Sequence, residues 1–358
     1  MKKKISIHDI ARELKVSSTT VSFVINGKAK EKRISIEMEE RILKHVQKVG
    51  YQPNMMAKSL RTGKSKIIGL MVENIADPFF SGIARVIEEN TYQLGYKIFH
   101  SSTENDTEKS KDLIKVFRER QVDAYIIAPA PGIEKDIQNL IDDGIPVIQF
   151  DRYFASLNTD VVVIDNEDGA YKAVKHLFEN GYTNIGFVTL DSLQVQMTDR
   201  LKGYQKAIKE RKVKKMLLRI PFGTENSQAT EKISMFIEQN KEMDAILFAT
   251  NYLAISGLPA IRQTGLSIPE EMGIVGFDDN ANFALFSPSV TAVAQPVQEI
   301  SEQVIQLMIA CLTENKKRKR QKIELKTILK IRDSSLRNPV SKLKAAGNKK
   351  KSIPDKPI

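Results

Sequence analysis

From Ile67 onward the chain alternates short apolar runs, many of them rich in β-branched residues, with longer amphipathic stretches. The runs predict strands at 67–72, 97–100, 124–128, 146–150, 161–164, 185–189, 217–220, 244–249, 273–277, 291–294 and 323–331. The stretches predict helices at 79–94, 107–120, 133–143, 167–180, 198–211, 226–239, 253–265 and 297–314. This alternation indicates an α/β fold of parallel sheets with helices on both faces, and about 270 residues suit two sheets better than one.

The first 50 residues follow a different pattern, which predicts three short helices. Ser6, Ser17 and Ser35 each precede an apolar stripe at helical spacing, as N-caps do. The three stripes are expected to form one small core, and their residues are Ile7, Ile10, Ala11 and Leu14; Val21, Val24 and Ile25; and Met38, Ile42, Val46 and Val49. A charged loop, 28–33, separates the second and third helices, and a fourth helix is expected at 54–60 after Pro53.

The net charge of +11 is unevenly distributed. Residues 1–66 hold 16 Lys and Arg against 6 Asp and Glu, and residues 341–358 hold 6 Lys against 1 Asp, whereas the rest of the chain carries −4. A basic head on a mildly acidic body favours binding of a polyanion by the head. A solvated charged surface is the alternative that charge alone leaves open.

Several classes of protein are disfavoured. No apolar run is long enough to span a membrane, and the basic start passes directly into His8 and Asp9, unlike a signal peptide. The one cysteine, Cys311, suits a reducing cytoplasm. Four scattered histidines predict no metal site. Because no glycine-rich phosphate loop or catalytic triad is evident, neither an enzyme nor a cofactor is expected.

On the second helix, polar side chains lie opposite the apolar stripe of Val21, Val24 and Ile25. At 100° per residue this face carries Thr19, Ser22, Phe23 and Asn26, with Ser18 at the helix start. Small hydroxyl groups can approach bases and phosphates in a major groove, and a thymine methyl group would cover an exposed Phe23. The pattern predicts DNA binding, with an ordinary three-helix bundle as the alternative.

Ordered blocks of sequence then resemble the lac-repressor (LacI) family of transcription regulators. In the head they are IHDIA at 7–11, VSSTTVS at 16–22, VING at 24–27, GYQPN at 50–54 and AKSLRTG at 57–63. In the body they are KIIGL at 66–70, DPFF at 77–80, VDA at 122–124, DN at 165–166, RLKGY at 200–204, IPEE at 268–271 and VGFDD at 275–279. The resemblance covers over nine tenths of the chain.

This resemblance implies roles for the residues of the head. Ser18, Thr19 and Phe23 would approach base edges, while Ser17, Ser22 and Asn26 would hold phosphates. Residues 54–60 would form a hinge helix on operator DNA, with Leu60 wedged into the minor groove, Ala57 and Lys58 lining it, and Asn54 supporting the hinge or reaching a phosphate. The loop at 28–33 is longer than in most members.

For the body, the resemblance implies two lobes of the periplasmic sugar-binding type that close on a ligand. Asp77, Asp151 and Asp278 follow predicted strands and are expected at the strands' carboxyl ends, where ligands bind. Asp278 and Arg200 suit the hydroxyl groups of a sugar, Phe79 or Phe80 offers an apolar wall, and Asn251 adds an amide. By family position, Asp151, Gln194, Gln196, Gly223 and Gln295 are further candidates.

Two departures from the family pattern bear on the effector. Tyr252 follows Asn251 where the family commonly has Asp, and Gly223 stands where many members place an aromatic ring. A sugar or sugar phosphate is expected, and a purine is the alternative. A sugar-binding protein without DNA function is disfavoured by the basic head.

The sequence thus predicts four segments: a DNA-binding head (1–50), a hinge helix and linker (51–66), a two-lobed ligand-binding and dimerisation domain (67–335), and a basic tail (336–358) without regular structure. Such a chain is expected to act as a cytoplasmic, nucleoid-associated homodimer that binds a pseudo-palindromic operator. Ligand binding would change the angle between the lobes, and so the hinge spacing and the affinity for DNA.

Overall fold

The computed structural model describes residues 5–51, 63–313 and 318–337. The chain divides into two compact units, residues 1–65 and residues 66–358. We call the first unit the head and the second the sensor.

The head contains three helices, α1 (Ile7–Leu14), α2 (Ser18–Ile25) and α3 (Ile36–Lys48). Their starts are as predicted, because the side chains of Ser6, Ser17 and Ser35 each accept a hydrogen bond from a backbone N–H in the first turn. Their apolar faces form one core, and its fully buried members are Ile10, Ala11, Leu14, Val21, Val24, Ala29 and Ile42. On α3 only Ile42 is fully buried, so the predicted burial of Met38, Val46 and Val49 is partial.

The sensor contains two six-stranded sheets, each built from five strands that are consecutive in sequence and one edge strand from the segment 322–330. The first has the order β11-β5-β4-β3-β1-β2, and all its neighbours are parallel. Its strands are β1 (Ile67–Val72), β2 (Lys97–Ser102), β3 (Ala124–Ile127), β4 (Val147–Phe150), β5 (Asp160–Ile164) and β11 (Lys322–Leu325). Because the interior strands are covered on both faces, β3, β4 and β5 are buried at every residue.

The second sheet has the order β12-β10-β9-β8-β6-β7, and it is parallel except where β12 runs antiparallel to β10. Its strands are β6 (Ile185–Leu190), β7 (Met216–Ile220), β8 (Ala245–Phe248), β9 (Gly273–Phe277), β10 (Thr291–Ala294) and β12 (Ile328–Lys330). The predicted parallel sheets are therefore confirmed.

Helices cover both sheets and complete two lobes. Lobe 1 combines the first sheet with α4 (Pro78–Gln93), α5 (Thr107–Glu119), α6 (Glu134–Asp142) and α11 (Val297–Thr313). Lobe 2 combines the second sheet with α7 (Asn166–Glu179), α8 (Val195–Arg211), α9 (Asn226–Gln239) and α10 (Asn251–Gln263), and with short 3₁₀ turns at Ala281–Ala284 and Asp333–Ser335. In the described part of the chain, no helix is long and apolar enough to cross a membrane.

The predicted strand at 323–331 is wrong as a single element, because two strands share this segment. β11 ends at Leu325 in the first sheet, and β12 begins at Ile328 in the second. Between them the backbone N–H of Thr327 donates to Asp165 Oδ1 at 2.7 Å. Asp165 itself follows β5, where the chain makes its first passage from lobe 1 to lobe 2. This bond ties two inter-lobe passages together, and strand propensity alone does not reveal such a crossing.

Candidate functional sites

The first candidate site is the polar side of α2 in the head. Ser17 and Thr19 are exposed, and Ser18 is half-buried at the first turn. Ser17 Oγ accepts from Thr20 N–H at 3.0 Å and also lies 2.8 Å from Thr20 Oγ1. The hydroxyl groups thus surround the N-terminus of a helix, where free N–H groups and the helix dipole favour a bound anion.

The other end of α2 carries the remaining predicted contacts. Asn26 is exposed and Ser22 is half-buried, and Asn26 Nδ2 donates to the carbonyl oxygen of Ser22 at 2.6 Å. This bond holds the amide of Asn26 against the helix end beside the hydroxyl of Ser22, which lies 3.3 Å away. The structure therefore brings together two residues that were predicted to hold phosphates.

Phe23 is half-buried, which corrects the prediction of an exposed ring. The charged loop accounts for the difference. Ala29 is buried in the head core at 2% exposure, and Lys32 Nζ lies 5.5 Å from the centre of the Phe23 ring. A cation at this distance from a ring is attracted to its π face. Lys32 was not among the predicted site residues, although its place in the charged loop at 28–33 pointed to it.

The predicted hinge helix at 54–60, with Asn54, Ala57, Lys58 and Leu60, lies outside the described residues, as does the tail from 338.

The second candidate site is the cleft between the two lobes of the sensor. The carboxyl ends of the parallel strands face it: Glu73 follows β1, Asp151 and Arg152 follow β4, and Asp278 follows β9. Asp151 and Asp278 have positive φ angles of 64° and 68°, a region that Asp tolerates better than most residues. Strand ends, as expected for an open α/β sheet, therefore supply most of the charged groups of the site.

Arg200 is the central cation of lobe 2, and its exposed fraction is 1%. Its Nη1 and Nη2 donate to Asp278 Oδ2 and Oδ1 at 3.0 and 3.3 Å, its Nη1 also donates to the carbonyl oxygen of Ala249 at 2.6 Å, and its Nε donates to Asn166 Oδ1 at 2.9 Å. The guanidinium lies 3.7 Å from the ring centre of Phe277. All sides of this group are thus occupied by protein atoms.

Arg152 is the corresponding cation of lobe 1 and is 3% exposed. It pairs with Glu73 at 2.7 Å and with Asp151 at 3.1 Å. Its Nη1 also donates across the cleft to Gln194 Oε1 of lobe 2 at 3.0 Å. Gln194 Nε2 in turn donates to Asn105 Oδ1 of lobe 1 at 2.9 Å. These bonds connect the lobes.

A second polar bridge crosses the cleft between Asp77 and Asn251. Asp77 caps α4 through Oδ1, which accepts from Phe79 N–H at 2.8 Å, and its Oδ2 accepts from Asn251 Nδ2 at 3.2 Å. Burial raises the pKa of Asp77, and the nearby negative charge of Asp278 adds to this shift. Asp77 therefore caps α4 with one carboxylate oxygen and joins the lobes with the other.

Asp151 is the carboxyl group whose ionisation is most altered. Burial raises its pKa to about 6, although the positive charges of Arg152 and Arg200 oppose this shift. Desolvation thus outweighs two neighbouring guanidinium groups. Near neutral pH the Asp151 carboxylate is therefore charged and buried, which is energetically costly. A hydroxyl group of a ligand that donates to it would reduce this cost.

Two glutamines complete the predicted set. Gln295 Nε2 donates to Asp278 Oδ1 at 2.6 Å, and Gln196 is buried at 4% exposure. The side-chain oxygens of both residues are buried and accept no hydrogen bond from the described residues. An unused buried acceptor is costly, which is consistent with a ligand donor at these positions.

Of the two phenylalanines predicted as an apolar wall, only Phe79 is partly exposed. Phe80 belongs to the core at 5% exposure, while Phe79 is half-buried and packs edge-on against it, with ring centres 5.0 Å apart.

Gly223 has a φ of 77° and no heavy atom within 4 Å of an added Cβ. Its neighbour Phe222 is 37% exposed. The sequence places Gly223 at the position where many family members have an aromatic ring, and the neighbouring Phe222 was therefore missed.

A cavity of about 810 Å³ opens beside this network. Among its lining residues are Asn105, Arg152, Gln194 and Phe222. Of the predicted effector residues only Gln194 lines it, and Arg152 connects it to Asp151 and Glu73. Its volume is in the range of small-molecule sites. Glu73, Asn105, Arg152 and Asn166 were missed, although Glu73, Arg152 and Asn166 lie one or two residues beyond strand ends.

The head and the sensor both match known protein families. The family model described as "Bacterial regulatory proteins, lacI family" matches residues 6–54, and a periplasmic binding protein-like domain matches residues 174–335. The transcriptional regulator DegA of Bacillus subtilis is 30% identical over 341 residues, covering 93% of this chain and 98% of that protein. The transcriptional repressor PurR of Aliivibrio fischeri is 28% identical, covering 92% and 98%.

Among solved structures, the lac repressor dimer bound to operator and the anti-inducer ONPF superposes with a TM-score of 0.82 at 20% identity. The match covers 93% of this chain and all of that one. At this identity the likeness shows the fold. A helical head followed by a two-sheet sensor is the arrangement that both kinds of comparison share.

Proposed function

The chain belongs to the lacI family of bacterial regulatory proteins, and from that premise we propose which of its residues bind DNA and which class of effector it senses. It is a DNA-binding transcription regulator whose affinity for its operator is set by a small molecule. Repression is its expected mode of action, since the relative PurR is a repressor. We assign it no catalysis, because these relatives are regulators.

We assign the polar side of α2 to the major groove. Ser18, Thr19 and Phe23 would meet base edges, and Ser17, Ser22 and Asn26 would hold phosphates. The hydroxyl groups around the helix N-terminus and the +10 charge of residues 1–66 support this assignment. Lys32, beside Phe23, would add a phosphate contact from the charged loop.

The segment 54–60 is assigned to the minor groove on the sequence alone. Leu60 would be wedged between base pairs, with Ala57 and Lys58 along the groove and Asn54 at its start. Isolated helices this short are marginally stable in water, so DNA and the partner's segment would stabilise it. If effector binding favours one distance between segment 54–60 of one protomer and the same segment of its partner, it would shift the affinity for DNA.

For the effector, we propose a neutral polyhydroxylated molecule, a sugar, rather than a sugar phosphate. Glu73, Asp77, Asp151 and Asp278 face the cleft, against the two guanidinium groups of Arg152 and Arg200. Carboxylates accept hydroxyl donors well, whereas a phosphate would add negative charge to a site that already has an excess.

The observation that carries this proposal is that both buried guanidinium groups are already paired with carboxylates. Arg152 holds Glu73 and Asp151, and Arg200 holds Asp278 through a two-bond fork. A phosphate would have to displace these partners, which leaves buried charge unpaired. A neutral sugar needs no such exchange, because it can donate to the outer lone pairs of the same carboxylates.

A thermal-shift screen of the full chain tests this proposal with three sets of ligands: neutral sugars, their phosphate esters, and purine bases. A ligand at about 100 times its Kd adds about 2.7 kcal/mol to the free energy of unfolding, which raises Tm by several degrees. We expect this rise with a neutral sugar. A response to phosphate esters alone would refute the charge argument, and a response to purines alone would refute the sugar assignment.

We further propose a homodimer on a pseudo-palindromic operator, in the cytoplasm at the nucleoid. Exposed apolar side chains on both lobes are suited to a self-complementary interface, and they are Tyr92, Leu94 and Phe99 on lobe 1 and Leu285 and Phe286 on lobe 2. Leu285 is 81% exposed, which is costly for a monomer in water. Sedimentation of the chain at micromolar concentration tests the dimer, and a monomer would contradict it.

A further inference from the structure

Lobe 2 carries a second cavity, of about 550 Å³, which the effector site does not use. It lies between the end of α9 with the following turn, 237–244, and the segment after α10, 264–271. Its apolar lining consists of Ile237, Met243 and Leu266. Arg337, the last described residue, also lines it. The chain therefore continues from the wall of this cavity.

The charged lining of this cavity is mostly acidic. The lining includes five carboxyl groups, on Glu238, Glu242, Asp244, Glu270 and Glu271, but only two cations, on Lys241 and Arg337. Three of the five are already engaged: Glu242 pairs with Lys214, Asp244 with Arg337, and Glu271 accepts from Ser267. Glu238 and Glu270 have no ion-pair partner in the described part of the chain, so the cavity presents an apolar floor with two available carboxylates.

Arg337 is held firmly at this point. Its Nη1 donates to the carbonyl oxygen of Gly181 at 3.1 Å, and its guanidinium lies 4.2 Å from the ring centre of Tyr182. Its side chain is 11% exposed, and its Nε finds no acceptor among the described residues. These contacts fix where the following segment starts.

The sequence that follows has matching chemistry. Residues 338–344 read Asn-Pro-Val-Ser-Lys-Leu-Lys, with cations at Lys342 and Lys344, an apolar side chain between them at Leu343, and no acidic residue. Leu343 lies six positions after Arg337, and an extended chain of that length reaches about 20 Å. The cavity wall is therefore well within reach of all three side chains.

We propose that the cavity is the docking site of the chain's own segment 338–344. Leu343 packs on Ile237, Met243 and Leu266, while Lys342 and Lys344 pair with Glu238 and Glu270. Because the segment is tethered at the wall of the cavity, its effective concentration there is in the millimolar range, so weak contacts suffice to hold it. The docked segment joins the turn before β8 to the segment after α10.

A charge-swap experiment on the full chain tests this docking. One variant carries Glu238→Lys and Glu270→Lys, a second carries Lys342→Glu and Lys344→Glu, and a third combines all four changes. Hydrogen exchange is followed at backbone amides 237–244 and 264–271. We expect each double variant to lose protection about fivefold, and the combined variant to regain it, because opposite charges again face each other.

Matched controls change the same number of charges elsewhere. Lys350→Glu with Lys351→Glu alters the distal tail, and Glu119→Lys with Glu231→Lys alters exposed positions on α5 and α9 outside the cavity. Neither control should change the protection. If the fourfold variant shows only the sum of the two losses, the pairing is refuted.

Two further outcomes would also overturn the proposal. Protection that rises with protein concentration from 1 to 50 μM would place the segment in a second copy of the chain. Unchanged protection in the tail variant, together with weaker DNA binding, would make the tail a contact to nucleic acid.

Discussion

Arg200 and Asp278 form a two-bond ion pair, with Nη1 to Oδ2 at 3.0 Å and Nη2 to Oδ1 at 3.3 Å. The two residues are 78 positions apart, and they meet because Arg200 lies on α8 and Asp278 directly after β9. Gln295 donates to the same carboxylate and Asn166 accepts from the same guanidinium. The pair is therefore the centre of a network, and its loss affects both stability and effector binding.

Arg200→Ala removes one partner of a buried pair. We expect the free energy of unfolding to fall by about 3–5 kcal/mol, because Asp278 remains buried without its counter-charge. Urea denaturation of the full chain measures this loss. Lys202→Ala, an exposed change on the same helix, should have almost no effect on it.

A conservative substitution at the same position tests the effector response. Arg200→Lys keeps the charge but loses the fork, so that the protein stays folded while its response to effector falls. A thermal shift with effector that equals that of the parent chain would show that the site lies elsewhere in the cleft.

Asp151→Asn tests the pKa of the buried carboxyl group. Since the pKa of Asp151 in the fold is about 6, above the 3.9 of an unfolded aspartate, the native state binds the proton more tightly. Its contribution to stability is therefore complete below about pH 4 and is lost as the pH rises to about 6, by up to about 3 kcal/mol. Asn tolerates the positive φ of this position, so the fold accommodates the change.

The expected result is a variant that is more stable than the parent at pH 7 and whose stability depends less on pH between 4 and 6. Denaturation at pH 4.5 and 7 measures both. Burial also raises the pKa of Asp77, so a smaller slope of the same sign remains. Asp112→Asn, on the exposed side of α5, is the control. A parent chain that gains stability from pH 4 to 6 through Asp151 would contradict the expectation.

Much of the fold was predictable because its signals are local. β1, β9 and β10 begin and end where predicted, since apolar runs are bounded there by polar or glycine-containing segments. The N-caps Ser6, Ser17 and Ser35 likewise mark helix starts by their own side chains. The division of 322–330 into two strands was not predictable, because β11 pairs with β5 of the first sheet and β12 with β10 of the second, and the local sequence does not reveal this change of partner.

The cleft was predictable only in part, for a related reason. A strand end indicates that a residue such as Asp278 faces the cleft, but not which group from the other lobe meets it. Arg152 reaches Gln194, 42 positions away, and Asn105 reaches it across 89. These contacts depend on how closely the lobes approach. Lys32 was missed because the loop between α2 and α3 has no periodic pattern.

Ser17→Asp separates the two roles of Ser17 in the head. Asp is as good an N-cap as Ser, so the acceptor for Thr20 N–H is kept and head stability should change by less than about 0.5 kcal/mol. A negative charge beside the phosphates should weaken operator binding by about tenfold or more. Fluorescence anisotropy with an operator fragment measures the loss. Ser17→Asn, which caps without a charge, is the matched control, and equal losses in both variants would refute phosphate binding at this position.

Gly203→Ala tests the close crossing of α7 and α8. A Cβ at this position would lie 2.1 Å from the carbonyl oxygen of Glu167 and 2.9 Å from the backbone nitrogen of Tyr171. Backbone atoms cannot move aside as a side chain can, so α8 must shift, at a cost of about 3 kcal/mol in the free energy of unfolding. Because Arg200 is one turn away on α8, its 2.9 Å bond to Asn166 should lengthen as well, and the response to effector should weaken.

Gly82→Ala in α4 provides the comparison for that prediction. The Cβ added at Gly82 meets only a side-chain methyl of Val297, at 3.2 Å. Alanine is favoured over glycine in a helix by about 1 kcal/mol, so this variant should be as stable as the parent or slightly more stable. Urea denaturation of both variants under the same conditions distinguishes the two sites. If Gly203→Ala were as well tolerated as Gly82→Ala, α7 and α8 would not be packed backbone to backbone, and the position of Arg200 would need another cause.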